Sequence, residues 1–141
     1  MKLIEALDKP APIKWKSKSD VYWEGEFIVG DIEYNIIFDE GHKGSNLWEI
    51  TFEAIGHTSG RDIESGKHMG LTKTGNEFIV FATVKKATIE FLKKINPKGI
   101  MFQANEPSRR KLYARFAKMI AKKYGYVVDI SKGNTIMRKR L

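Results

Sequence analysis

The sequence predicts a mixed α/β domain, with an antiparallel sheet in its first half and two helices in its second half. Apolar residues recur with a period of two from residue 21 to residue 55, and with the period of a helix after Gly75. The length of 141 residues suits one domain that buries its own core. The composition is 42% apolar and contains no cysteine, so the core must form without disulfides or zinc ribbons.

The first half is predicted to be a meander of three strands that follows an N-terminal extension over residues 1–20. The extension shows a possible helical turn from Leu3 to Leu7 and then irregular chain. Alternation of apolar and polar residues predicts strands over residues 22–29, 32–38 and 47–55. Gly30-Asp31 supplies the tight turn between the first two strands. One face of this sheet is therefore expected to be polar.

The second half is predicted to follow a long loop over residues 56–75, which holds five of the 12 glycines. Loops of this length are uncommon in compact domains and often carry function. The elements expected after it are a helix over 78–95, a strand over 100–103, a helix from Pro107 to Gly125, and a hairpin of 126–130 with 135–138. The order β-β-β-α-β-α-β-β predicts a single mixed α/β domain over residues 21–141. The strands that flank the first helix should be parallel, with a right-handed crossover.

Charge divides the chain into two unequal halves. Residues 1–75 hold 9 Lys and Arg against 13 Asp and Glu, a balance of −4, whereas residues 76–141 hold 16 against 4, a balance of +12. One explanation is a polyanionic partner, either nucleic acid or the phosphates of a cofactor. The other is lysine placed on exposed helix faces for solubility, and the sequence leaves both open.

Several classes of function find no support in the pattern. The longest strongly apolar run, Phe78 to Val84, is far shorter than a membrane span of about 20 residues, and the first 20 residues show no signal-peptide stretch. We therefore expect a soluble, cytoplasmic protein without a membrane partner. His42, His57 and His68 are spread through loops without ligand spacing, so no metal site is predicted. No complete phosphate-binding loop motif is present.

The segment before the first predicted helix has features of an anion site. Gly70-Leu-Thr-Lys-Thr-Gly-Asn-Glu77 brings a glycine-bearing loop to a helix N-terminus, where free N–H groups and the helix dipole attract pyrophosphate. The candidate cofactor-binding residues in it are Lys73, Thr74, Gly75 and Asn76. Thr74 and Glu77 also fit a Thr-x-x-Glu capping box, which explains the same residues without a ligand.

The segment Glu106-Pro-Ser-Arg-Arg-Lys-Leu-Tyr113, with Gly125-Tyr126 downstream, resembles the GNAT-type N-acetyltransferase superfamily. Members of that family follow a strand–helix–strand–helix–strand–strand order and carry a Leu-Tyr pair in the last helix, with a Gly-aromatic pair after it. Leu112-Tyr113 and Gly125-Tyr126 match these pairs. The chain is most similar to small GNAT-like proteins encoded by tailed bacteriophages, which implies the host cytoplasm or the virion as its location.

The resemblance implies an acetyl-CoA-dependent N-acetyltransferase. Tyr113 would protonate the leaving thiolate, and the pantetheine arm would lie between the third and fourth predicted strands. Asn105 and Ser108 join the candidate cofactor-binding residues, and no metal is implied. A base must deprotonate the acceptor amine, and Glu49 and Glu53 on the polar face of the third strand are our candidates. The acetyl acceptor is not indicated.

An alternative follows from the family's acetyl-CoA loop, Arg/Gln-x-x-Gly-x-Gly/Ala. With Gly75 at its first glycine, Thr72 and Glu77 occupy the Arg/Gln and second glycine places. The alternative is therefore an inactive GNAT-like scaffold that binds nucleic acid or an acidic protein, or a virion accessory protein. The candidate nucleic-acid-binding residues are Arg109, Arg110, Arg115, Lys118 and Lys122.

Overall fold

Seven strands and two helices make up the protein in a computed structural model that describes residues 9–60, 76–102, 107–131 and 134–140. At residues 76, 77, 107–112 and 131 only the backbone is described. The elements in chain order are β1 (Lys14–Lys18), β2 (Tyr22–Val29), β3 (Ile32–Glu40), β4 (Leu47–His57), α1 (Asn76–Ile95), β5 (Gly99–Phe102), α2 (Pro107–Tyr124), β6 (Tyr126–Ser131) and β7 (Asn134–Lys139).

The seven strands form one mixed sheet in the order β1-β2-β3-β4-β5-β7-β6. β4 and β5 pair in parallel, and every other neighbouring pair is antiparallel. The predicted mixed α/β class and the parallel pair around the first helix are confirmed. Each predicted strand and helix from residue 22 onward begins and ends within two residues of the observed one. The predicted turn from Leu3 to Leu7 and most of the predicted loop lie outside the described residues.

The prediction of irregular chain after the first turn is wrong, because residues 14–18 form β1 and pair antiparallel with β2. A bulge between Trp15 and Ser17 shifts the register, so that Lys18 lies opposite Trp23. The ammonium of Lys18 sits 5.1 Å from the ring centres of Trp15 and Trp23 and 2.6 Å from Glu90 of α1. Three of the five residues of β1 are lysines, so the alternation of apolar and polar residues that predicts a strand is not recognisable in the sequence.

Both helices pack on the same face of the sheet. Phe91 of α1 lies against one ring from each of β2, β3 and β4, with centroid distances of 5.4 Å to Trp23, 4.4 Å to Phe38 and 4.8 Å to Trp48. Phe116 of α2 lies 5.7 Å from Phe102 of β5. The side chains that alternate with these in the strands point to the opposite face, which no helix covers in the described part of the chain.

Replacing Phe91 by alanine tests the aromatic contacts that hold α1 on the sheet. We expect Phe91→Ala to lower the free energy of unfolding by about 3 to 5 kcal/mol, because a buried ring is lost and a cavity remains. The matched control is Met119→Ala, whose side chain is 52% exposed on α2 and which should change stability by less than about 0.5 kcal/mol. Urea unfolding followed by tryptophan fluorescence measures both, and equal losses in the two variants would contradict this account.

Tyr34 generates a second prediction, on stability at high pH. The side chain is 1% exposed and stacks on Phe27 at a centroid distance of 5.2 Å. Burial raises the pKa of Tyr34 to about 12, and the negative charge of Asp31 acts in the same direction. In the unfolded chain the phenol ionises near pH 10. The stability that depends on neutral Tyr34 is therefore complete below pH 10 and is lost as the pH rises toward 12.

Across that interval the wild-type free energy of unfolding should fall by about 2 to 3 kcal/mol relative to that of Tyr34→Phe, which has no proton to lose. Urea unfolding of both proteins from pH 9 to pH 12 measures the difference, and the comparison cancels the titration of the lysines. If the two proteins lose stability in parallel, the phenol is not the group responsible.

Candidate active site

The described pairing of β4 with β5 covers only the first part of β4. The two strands are paired from Leu47 with Gly99 to Ile50 with Phe102. β5 ends there, whereas β4 continues to His57. In the part of the chain that the structure describes, no strand pairs with residues 51–57 of β4 on the β5 side. We call the place where this described pairing stops, with the edge of β4 beyond Ile50, the fork.

Hydrogen bonds at the other end of the two strands set the position of the fork. The backbone N–H groups of Lys98 and Gly99 donate to the carbonyl of Asn46, at 3.0 and 3.4 Å. The hydroxyl of Tyr126 donates to the carbonyl of Pro97 at 2.6 Å, and burial raises the pKa of Tyr126, so this donor stays protonated. These bonds hold β4 and β5 together where the two strands begin.

Tyr113 of α2 lies beneath the fork. Its ring packs against Phe102, the last residue of β5, at a centroid distance of 5.4 Å, and edge-on against Phe52 of β4 at 5.7 Å. Phe52 is two residues beyond the last paired residue of β4. The side chain of Tyr113 is 3% exposed. Tyr113 therefore lies at the point where the described pairing of the two strands stops, on the face that the helices cover.

The two predicted bases lie on the opposite face of β4. Glu49 and Glu53 alternate with the buried residues Trp48, Ile50 and Phe52, so their side chains leave the sheet on the side without helices. Glu49 is half-buried and Glu53 is exposed. Glu49 lies in the paired part of β4 and Glu53 lies beyond it, so the two carboxylates stand on either side of the fork's start. The three predicted catalytic residues thus approach the fork from two faces of the sheet.

An open cavity of about 620 Å³ lies on the uncovered face beside Glu49. Register places Glu49 next to Met101 of β5, and Met101 next to Ile136 of β7. Ten residues line the cavity: Gly41, Leu47, Trp48, Glu49, Lys98, Gly99, Ile100, Met101, Ile136 and Arg138. The sequence does not predict this cavity, because strand alternation shows which residues share a face but the pairing of β5 with β7 is not visible in the sequence.

The other predicted site residues are only partly within the described chain. Lys73, Thr74, Gly75 and Asn105 lie outside it. Asn76 is the first residue of α1 and Ser108 lies in the first turn of α2, but their side chains are not described. The predictions of cofactor contacts at these six positions therefore stay predictions. Among the described residues, no group of three or more His, Asp or Glu side chains is placed to hold a metal ion.

Of the predicted nucleic-acid-binding residues, Arg115, Lys118 and Lys122 are exposed on α2. Arg109 and Arg110 belong to the same helix, but their side chains are outside the description. A spacing of three and four residues puts the three exposed cations on one side of the helix. They face away from the sheet, because the buried residues Tyr113, Phe116 and Ile120 lie on the other side.

No family model, no curated protein and no solved structure matches the chain. The proposed function therefore rests on the geometry of the site and on the sequence. The described residues contain no helix that is both long and apolar enough to span a membrane. The fold and site define a mixed α+β protein in which a buried tyrosine packs where the described pairing of β4 with β5 stops.

Proposed function

We propose that the protein is an acyltransferase that uses acetyl-CoA as donor and a primary amine as acceptor. The observation that carries the proposal is the fork between β4 and β5 with Tyr113 directly beneath it. The strand–helix–strand–helix–strand–strand order from β4 to β7, in which β4 and β5 are parallel, is consistent with the GNAT-type resemblance of the sequence.

The fork suits an extended ligand that carries amide groups. Beyond Ile50 the edge of β4 that faces β5 offers backbone N–H and C=O groups over residues 51–57. The pantetheine arm of coenzyme A contains two amides and can pair with such an edge as an added strand does. Its pyrophosphate would lie at residues 73–76, before the 20-residue helix α1, where the positive end of the helix dipole favours an anion.

The proposed chemistry is direct acyl transfer. The amine nitrogen attacks the thioester carbonyl, and a carboxylate, Glu49 or Glu53, accepts the proton that the amine loses. The carbon–sulfur bond then breaks, and the thiolate takes a proton from the hydroxyl of Tyr113. The proton donor, Tyr113, approaches the thioester from the covered face, and the base approaches it from the uncovered face. The reason is that the pantetheine arm lies between them in the plane of the sheet.

The acceptor is proposed to enter through the cavity on the uncovered face. Asp39 of β3 lies directly opposite Glu49 of β4, and Glu49 lines the cavity together with Lys98 and Arg138. Adjacent like charges on neighbouring strands repel, and a cation between them relieves the repulsion. This arrangement favours an amine that arrives as its ammonium form and loses its protons at the site.

Hydrogen exchange tests where acetyl-CoA binds. We expect acetyl-CoA at millimolar concentration to raise the melting temperature and to slow amide exchange in β4 over residues 51–57. The physical reason is that free N–H groups at the edge of β4 acquire partners on the ligand. The hairpin of β2 and β3 serves as an internal control whose exchange should stay unchanged. No thermal shift, or protection confined to segments away from the fork, would exclude this binding mode.

Tyr113→Phe tests the proposed proton donor. We expect kcat to fall by about 10²- to 10⁴-fold while the KM for acetyl-CoA stays unchanged, because the hydroxyl acts only in the transition state. A thiol reagent that detects released coenzyme A measures turnover without background, since the chain has no cysteine. Polyamines and lysine peptides serve as acceptors.

The matched control is Tyr124→Phe, which removes a hydroxyl from a half-buried tyrosine of the same helix and should keep full activity. Both variants should melt at the wild-type temperature within a few degrees. If the wild-type enzyme is active and Tyr113→Phe has the same kcat, Tyr113 is a packing residue and not the proton donor.

A further inference from the structure

The outer surface of the two helices carries positive charge that nothing described on the helices neutralises. Its exposed basic residues are Lys86, Lys93, Lys94, Arg115, Lys118, Lys122 and Lys123. Glu90 is the one carboxylate among the described helix side chains, and it is 2.6 Å from Lys18 of β1. We call the outward surface formed by these seven basic residues the basic helical face.

The acidic residues lie on the opposite side of the molecule. Strand alternation places six carboxylates on the uncovered face of the sheet: Glu24, Glu26, Glu33, Asp39, Glu49 and Glu53. The difference in charge between the two halves of the sequence therefore becomes a difference between two faces of the domain. The uncovered face also carries Lys14, Lys16 and Arg138, and Lys16 lies 2.6 Å from Glu26. Its carboxylates still outnumber its basic residues, whereas the described helix surface has seven basic residues and one carboxylate, and this difference builds a directed potential.

We propose that the basic helical face binds duplex DNA through the backbone phosphates. Arg115, Lys118 and Lys122 form a stripe along α2 that spans about 10 Å, at 1.5 Å per residue. Successive phosphates of one DNA strand rise by about 3.4 Å each, so the stripe extends over roughly three phosphates. Lys86 and Lys93 add exposed positive charge on α1, which packs on the same face of the sheet. Contacts of this kind bind without reading the base sequence.

The composition of the surface distinguishes duplex DNA from other polyanions. No aromatic side chain is exposed among the described residues, so the face lacks the stacking platforms that bind single strands. Met119 is the one large apolar side chain exposed on the described helix surface, which is too little to anchor a protein partner or insert into a membrane. A helix surface fits the wide major groove of B-form DNA, whereas the major groove of A-form RNA is too narrow.

Fluorescence anisotropy with a labelled duplex of about 20 base pairs tests the proposal across salt concentrations from 50 to 200 mM. The test variant is Arg115→Gln/Lys118→Gln/Lys122→Gln, which keeps helix-forming side chains on exposed positions. We expect its affinity to fall at least tenfold, and the slope of log affinity against log salt to become shallower by about 3.

The matched control is Lys14→Gln/Lys16→Gln/Lys43→Gln, which removes three exposed positive charges from β1 and from the segment between β3 and β4. Both variants lower the formal net charge of +8 by the same amount. The control should bind DNA within about twofold to threefold of wild type, because its phosphate contacts remain. Unchanged melting temperatures show that both variants are folded.

Two outcomes overturn the proposal. If the control loses as much affinity as the test variant, the attraction belongs to net charge and not to this face. If single-stranded DNA, duplex RNA or phosphatidylserine vesicles bind more tightly at equal phosphate concentration, the face serves another polyanion. The measurement contains no acetyl-CoA, so it is independent of acyl transfer, and Tyr113→Phe should bind the duplex as wild type does.

Discussion

The stack of Phe91 on three strands is the contact on which the rest of the structure depends. The ring lies face to face with Phe38 and edge-on to Trp23 and Trp48, so a single helix residue holds β2, β3 and β4 at once. Large aromatic surfaces buried in offset and edge-on pairs contribute more than their area alone. The last turn of α1, which ends at Ile95, is thereby fixed over the sheet.

That fixed helix end determines where β5 begins and therefore where the fork opens. Asn96 follows α1 with φ of 54°, a left-handed conformation that turns the chain sharply toward the sheet. The turn brings Lys98 and Gly99 onto the carbonyl of Asn46, at the start of β4. Core packing in one part of the domain is in this way connected to the backbone edge that the proposed cofactor needs.

Placing both helices on one face gives the domain two surfaces of different chemistry. The covered face holds Tyr113 among apolar side chains, while the uncovered face holds the carboxylates and the cavity beside Glu49. The outward side of the helices is basic and lies farthest from that cavity. The two proposed activities therefore use separate surfaces, and a chain bound to DNA through α2 leaves its acidic face open to an acceptor.

The sequence by itself determined the type, order and approximate bounds of the elements from β2 onward. Periodicity reports which side of an element meets water, and that contrast is strong in β4 and in α1. The pattern also predicted the parallel pairing of β4 and β5, because a helix between two strands leaves them pointing the same way. Glu49 and Glu53 could be assigned to one polar face on the same grounds.

Only the tertiary structure determined that residues 14–18 form β1 and where Tyr113 lies. Three lysines obscured β1 in the sequence, and the strand is held by contacts that no local pattern encodes. At Gly25 of β2, a Cβ would lie 3.0 Å from both Ile13 and Trp15, so the missing side chain makes room for β1. The position of Tyr113 under the fork depends on Phe52 and Phe102, which lie 50 residues apart and meet through the register of β4 and β5. Such contacts arise from packing between distant segments, and local periodicity carries no information about them.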